Sequence, residues 1–327
     1  MCRVRWAAPV GALLALLAFA PAAAPISGHQ RVLLVLATWG PQPYAVSEVR
    51  AVAVEADRLL RGSSGGRFSL DVDVTNWSNV LARPVSCPRD WWDGGLPRAV
   101  TVPGASAAQA AGYPVDSYGR VVYVIPASPC PSGGSAPGHE ALLDGALNAP
   151  LLLHELGHTW AVAHARSTLC VGLCGQDEYG DPYSPMGSGG DDFTVYEKHE
   201  LGWGPRVRVV RTSGRFAIGR ADRSGTLPVA LRVPVGPLDW WIEFRPAPRA
   251  AGETEGTLRG GVLVRYVDTR ETFPGQGPPS TLVLNPSGAA PTLSPGKQLK
   301  VPHGFTVRFV QRRGNATAVL QITRARS

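Results

Sequence analysis

The segment His154-Glu155-Leu156-Gly157-His158-Thr159-Trp160-Ala161-Val162-Ala163-His164 constrains this chain more than any other stretch. Two histidines four residues apart leave the same face of a helix, one turn above the other. That spacing lets both imidazoles reach one zinc ion, at roughly 2.0–2.1 Å each. Glu155 stands about 100° further round the helix, beside such an ion and free to act on its water. An HExxH also arises by chance in buried helices, but the metal is the favoured reading of the pair alone, and the third histidine strengthens it. The preceding residues 147–153 are apolar and helix-compatible, with Asn148 as a candidate cap and Pro150 tolerated in the first turn.

In a continuous helix, His164 would lie about 9 Å further along the axis than His158 and face away from it. The chain must therefore leave the helix near residue 161 and fold back. Glycine reaches positive φ without strain, but this position holds Ala161. A left-handed alanine costs roughly 1–2 kcal/mol. Zinc binding, on the order of 10 kcal/mol, outweighs that. If the helix does not turn there, a carboxylate of Asp177 or Glu178 is the alternative third ligand, since carboxylates also bind zinc.

Arg3 and Arg5, the apolar residues 11–20 and the small residues Ala22, Ala23 and Ala24 read as a secretory signal peptide over residues 1–28. The rival reading, an uncleaved anchor, needs a longer apolar run. The first thirty residues are thus expected outside the fold, His29 disordered, and the protein secreted, with no stable membrane insertion after cleavage. Export makes the cysteines readable. Cys2 leaves with the signal, and Cys87, Cys130, Cys170 and Cys174 suggest two disulfides among three possible pairings. Cys87–Cys130 with Cys170–Cys174 is the favoured set. A four-cysteine zinc site is disfavoured because no C-x-x-C pair exists.

About three hundred residues remain after the signal, too many for one ordinary core. Residues 1–205 carry 13 Lys+Arg against 18 Asp+Glu, whereas residues 206–327 carry 19 against 7. That shift supports two domains, 29–204 and 205–327. The first reads as strand 31–38, helix 44–60, strands 68–74 and 120–125, a Gly/Pro/Ser-rich stretch 126–138, then a long metal-bearing helix. This is an α/β (α+β) layer pattern. The second shows short alternating segments at 207–210, 227–233, 240–244, 261–267, 281–284, 305–310 and 316–322, which suggest a mostly antiparallel β-sandwich. No nucleotide-binding glycine loop or repeat is present, and no nucleic-acid partner is expected. The basic second half is a candidate for weak binding to anionic surfaces, although arginines on outer strand faces explain it more simply. Asp191-Asp192 is a candidate Ca2+ site, with a solvated acidic turn as the simpler reading. His139 and His199 read as surface residues.

Beyond His164 the chain runs Gly175-Gln176-Asp177-Glu178-Tyr179-Gly180-Asp181-Pro182-Tyr183-Ser184-Pro185-Met186-Gly187-Ser188. The histidine motif followed by Ser-Pro-Met-Gly resembles the metzincin zinc endopeptidases, and among them the gametolysin-type secreted metallopeptidases. Glu197, Lys198, Glu200, Leu201, Gly202 and Trp203, and the Arg-Val-Val-Tyr-Val strand, are similar to that group too. The resemblance spans roughly residues 31–204. It implies a metzincin-like catalytic domain with one catalytic Zn2+ on His154, His158 and His164, and Glu155 as general base. It also implies that Met186 forms a Met-turn, an apolar floor that does not touch the metal. Packing is the commonest role of such a thioether in any case. The family usually has glycine where Ala161 stands. The tyrosine found two positions after the methionine in some branches is replaced by Ser188, which leaves the oxyanion-stabilising group open. The implied activity is hydrolysis of peptide bonds in extracellular proteins. The alternatives are a secreted wall-, matrix- or polysaccharide-binding protein on a degenerate peptidase scaffold, and a zinc hydrolase of a non-peptide amide.

Overall fold

The structure is a computed structural model. It describes residues 25–87, 95–130, 134–171, 173–223, 225–247, 260–271, 275–284, 291–301 and 304–325. The expected signal, up to residue 24, lies outside the described residues.

The first part of the chain builds a sheet buried on both sides. Its strands are β1 (Gly28–Thr38), β2 (Phe68–Val74), the short β3 (Ser78–Asn79), β4 (Arg120–Ile125), β5 (Gly134–Ser135) and β6 (Glu140–Asp144). The order is β2-β1-β4-β6-β5, with β3 continuing beside β1. The β2-β1, β1-β4 and β4-β6 pairs are parallel, while β5 runs antiparallel to β6 at the sheet edge. Continuous apolar strands suit a parallel sheet covered by helices on both faces. Along β1, Val32, Leu34 and Leu36 join one core with Val49, Ala53, Ala56 and Leu60 of α1 (Val46–Ser64). Leu33, Val35 and Ala37 join a second core with Val100 and Ala108 of α2 (Arg98–Ala110). A third helix, α3 (Ala149–Thr159), lies on the α1 side and adds Leu152, Leu153 and Leu156 to the first core.

Two expectations need correction here. Residues 25–30 belong to the fold: Ile26 N–H donates to the Leu201 carbonyl at 3.1 Å, and Trp203 Nε1–H donates to the Ile26 carbonyl at 3.0 Å. His29 is not disordered but sits in β1, with Nδ1 2.6 Å from Ser69 Oγ. In addition, α2, β5 and β6 were not anticipated. Pro103 lies inside α2, and the Gly/Pro/Ser texture of residues 126–138 hides the short β5.

The remaining strands are β7 (Ala165–Val171), β8 (Leu173–Asp177), β9 (Val207–Val209), β10 (Gly214–Gly219), β11 (Ala230–Val235) and β12 (Leu238–Arg245). They continue with β13 (Gly261–Asp268), β14 (Ser280–Val283), β15 (Gln298–Lys300), β16 (Phe305–Arg313) and β17 (Thr317–Arg324). A short α4 (Val195–Glu200) precedes β9. A four-stranded sheet, β10-β17-β16-β15, faces a seven-stranded one, β8-β7-β14-β13-β12-β11-β9. Phe216, Ile218, Phe309 and Leu320 from the former meet Trp240, Ile242 and Val264 from the latter in one core. The chain is thus a mixed α+β fold with several sheets.

The division at 204/205 is crossed by the larger sheet. β14 pairs in parallel with β7, from Ser280 opposite Ala165 to Val283 opposite Thr168. Buried ion pairs reinforce the junction. Arg265 of β13 donates through Nε to Asp181 Oδ2 at 2.6 Å and also pairs with Glu243 of β12. Arg245 donates to Asp192 Oδ2 at 2.5 Å and to the Tyr183 carbonyl at 2.7 Å. Burial alone would raise the Asp192 carboxyl, but Lys198 and Arg245 hold it below the usual range. Two cations therefore occupy the carboxylate that the calcium expectation needed.

Cys87 and Cys130 are joined by a disulfide. Cys174 is also disulfide-bonded, and the β7–β8 register sets Cys170 opposite it, although the Cys170 side chain lies outside what is described. Among the described residues, no helix is long and apolar enough to cross a membrane.

Candidate metal centre

Local rules account for the start of α3. Asn148 Oδ1 accepts the Leu151 N–H at 2.8 Å, and Pro150 occupies the first turn, where no intrahelical N–H is required. At the other end, Val162 N–H donates to the Gly157 carbonyl at 3.0 Å and Ala161 N–H to the His158 carbonyl at 2.9 Å. That pair of bonds is a Schellman motif, whose C′ residue takes a left-handed conformation and is commonly glycine. Here it is Ala161, at φ 66°, the one non-glycine residue with positive φ among the described residues.

The strained turn is held from two sides. Arg120 of β4 donates to Thr159 Oγ1 at 2.8 Å and to the Thr159 carbonyl at 2.9 Å. A cation there also complements the negative end of the helix dipole. From beyond residue 205, Gly277 N–H donates to the Ala161 carbonyl at 2.9 Å. The chain reverses, and Ala165 N–H then donates to the Met186 carbonyl at 2.8 Å.

Met186 is fully buried beneath α3. A Cβ added at Gly157 would stand 2.4 Å from its Sδ, so glycine in the last turn of the helix is what admits the thioether. The turn around Met186 is set by Ser184, whose Oγ accepts Met186 N–H at 3.0 Å and donates to the buried Glu197 carboxylate at 2.9 Å. Burial pushes the Glu197 carboxyl up to about 7.

The three histidines converge. His154 Nδ1 lies 2.8 Å from the Pro185 carbonyl and His158 Nδ1 2.9 Å from the Val162 carbonyl. Carbonyl oxygens only accept, so both Nδ1 atoms carry the proton and both Nε2 atoms present a lone pair. Those Nε2 atoms are 3.1 Å apart. His164 joins them, its Nδ1 donating to Glu178 Oε1 at 2.9 Å. One ligand atom from each ring lies within 4.8 Å of the others. Burial pushes His154 down to about 4 and His158 down to about 3, so both imidazoles stay neutral at pH 7. Neutral lone pairs facing each other repel, and a cation between them removes the conflict. The donor set therefore fits a nitrogen-binding metal ion, with partners behind each ring that fix its tautomer.

Glu178 and Asp177 are not part of this convergence. Glu178 backs His164 and also pairs with Arg166 at 2.8 Å, while Asp177 Oδ1 accepts the Tyr179 N–H at 3.1 Å. Glu155 is buried beside the triad, and its Oε2 has no hydrogen-bonding partner among the described residues. Burial raises its carboxyl to about 8. A Cβ added at Gly134 in β5 would lie 2.1 Å from Glu155 Oε1, so the edge strand passes directly over the carboxyl group. The cleft in front of these groups measures about 490 Å³.

Several cleft residues escaped the sequence reading, among them Gly134, Tyr179 and Gln276. Gly134 lies in a stretch whose composition reads as loop. Tyr179 neighbours Glu178, and its ring lies 4.3 Å from that of His164. Gln276, whose Nε2 is 3.3 Å from His158 Nδ1, comes from the distant second half and carries no local signal. The histidines read as surface residues, His139 and His199, are both exposed, and the ring of His199 lies 5.4 Å from that of Trp241.

No family model matches this chain, and no curated protein matches it either. Among solved structures, it is similar to a chain from the "Structure of a chaperone-substrate complex", with a TM-score of 0.32 and 14% identity. The match covers 52% of this chain and 29% of that one, a likeness too slight to carry any argument.

Proposed function

We propose that this chain is a secreted zinc endopeptidase of metzincin type, with His154, His158 and His164 as ligands and Glu155 as general base. The observation that carries the reading is the arrangement of ring nitrogens. Each Nδ1 is committed to an acceptor, which leaves lone pairs aimed at one point beside a buried carboxyl group. Zinc bound there supplies a Lewis acid that polarises a peptide carbonyl and brings the pKa of a water toward neutrality.

The chain's own residues do the rest. Glu155 takes a proton from the attacking water and returns it to the departing amine, a role that suits a carboxyl raised toward neutral pH. Its unpartnered Oε2 is the atom free to do so. Among the described residues β5 has one unpaired edge beside the cleft, and an extended peptide can pair with it backbone to backbone. Met186 and Gly157 fill the floor beneath the ligands and keep water out from below.

Metal content and casein or gelatin digestion, with and without a chelator, test the reading. We expect bound zinc and cleavage that the chelator abolishes and added zinc restores. In Glu155→Gln, zinc content is expected to persist while cleavage falls by orders of magnitude. A protein without zinc and without chelator-sensitive cleavage would instead be a binding protein on a peptidase scaffold.

A further inference from the structure

The peptidase reading leaves open which protein group meets the negative charge that develops on the substrate carbonyl oxygen. Ser188 stands where some relatives of the implied family have a tyrosine, and its side chain is not among the cleft residues. Three other neutral donors border the cleft: Ser135, Tyr179 and Gln276. Gln276 is placed behind a ligand ring, because its amide nitrogen lies near His158 Nδ1 and the metal-facing atom of that ring is Nε2. Ser135 belongs to β5, where a short side chain lies along the peptide's own path.

Tyr179 differs from both. The β7–β8 hairpin ends in a turn that places two consecutive side chains on one ligand: Glu178 bonds the back of His164, and Tyr179 covers its ring. The Tyr179 ring is also 5.9 Å from that of His154. The side chain is 48% exposed, so it has room to turn toward a substrate. A phenol ordinarily titrates at about 10, so its hydroxyl is a donor at neutral pH.

We propose that the Tyr179 hydroxyl is a catalytic donor: it hydrogen-bonds the carbonyl oxygen of the scissile peptide as that carbon becomes tetrahedral. The inference rests on the peptidase reading. The phenol keeps its proton throughout, and the proton that moves from water to the leaving amine travels on Glu155. A donor placed for the oxyanion rather than the planar carbonyl lowers the barrier without tightening substrate binding.

The test is Tyr179→Phe, which preserves the ring against His164 and so controls for packing. Zinc content is expected to match the wild type. The expected kcat falls by about 10²–10³-fold, the cost of one oxyanion donor, with KM little changed. A readout independent of turnover is calorimetry with a phosphinic peptide, which mimics the tetrahedral state, beside the corresponding cleaved peptide. The variant should bind the phosphinic peptide more than about tenfold more weakly and the cleaved peptide as before. Full activity in Tyr179→Phe, or equal weakening of both ligands, overturns the role of Tyr179 and leaves the peptidase reading intact. Absence of zinc or of cleavage in the wild type overturns both.

Discussion

The loop of residues 181–197 borders two buried polar clusters that treat their charges in opposite ways. On one side Asp181, Asp192 and Glu243 are matched by Arg265, Arg245 and Lys198, and Val195 N–H adds a further bond to Glu243. On the other side, His154, His158 and His164 direct lone pairs at one another, and Glu155 Oε2 has no partner among the described residues. Burying an unmatched polar group costs roughly 1–3 kcal/mol, more when it is charged. Glu155 borders an open cleft, where a ligand can complete it. The matched cluster ties two parts of the chain together, and the unmatched one is where chemistry is to be expected.

Breaking the matched cluster should have the largest effect on stability. Arg265→Met leaves Asp181 and Glu243 buried without their shared cation. We expect a loss of about 3–5 kcal/mol in denaturant unfolding, with unaltered metal content in whatever remains folded. A neutral outcome would mean that the cluster is not the clamp described here.

The unmatched cluster should respond in the opposite sense. Folding raises the Glu155 carboxyl from 4.5 to about 8, so between those limits the folded chain holds a proton that the unfolded chain has released. Stability contributed by this group is therefore lost as pH rises through that window. Metal-free Glu155→Gln should match the metal-free wild type at about pH 4 and exceed it by roughly 4–5 kcal/mol at pH 9. With zinc bound, the gap should shrink, because the dication favours the charged carboxylate. Parallel stability curves for the two proteins across pH would show that Glu155 is not held in a desolvated site.

What could be read from the sequence follows the range of the interactions. His154, Glu155 and His158 were readable because helix geometry alone places them, and Asn148 and Pro150 because capping is local. His164 required one further step, the recognition that the helix must end at Ala161. β2 lies where apolar–polar alternation marks it and β4 where an apolar run does. Gly134, Tyr179 and Gln276 were out of reach because each arrives through strand pairing or docking between segments distant in sequence. The same holds for the sheet that crosses residue 204: nothing in the texture of residues 165–171 foretells a partner at 280–283. Charge composition suggested a boundary there, yet composition reports on surfaces and says nothing about which strands pair.

The smallest expected effect concerns the joint between helix and third histidine. Ala161 adopts a glycine's conformation, and its carbonyl is held by Gly277 N–H, so the second half of the chain helps to enforce the turn. Replacing it by glycine removes roughly 1–2 kcal/mol of left-handed strain. Glycine also gives the unfolded chain more freedom, which offsets about 0.4–1 kcal/mol of that gain. Ala161→Gly should therefore stabilise the protein by about 0.5–1 kcal/mol in urea unfolding. Zinc affinity should stay the same or rise slightly, since the ligand geometry is already imposed. A clear destabilisation would show that Ala161 carries no left-handed strain in solution, and the path of the chain to His164 would then have to be different.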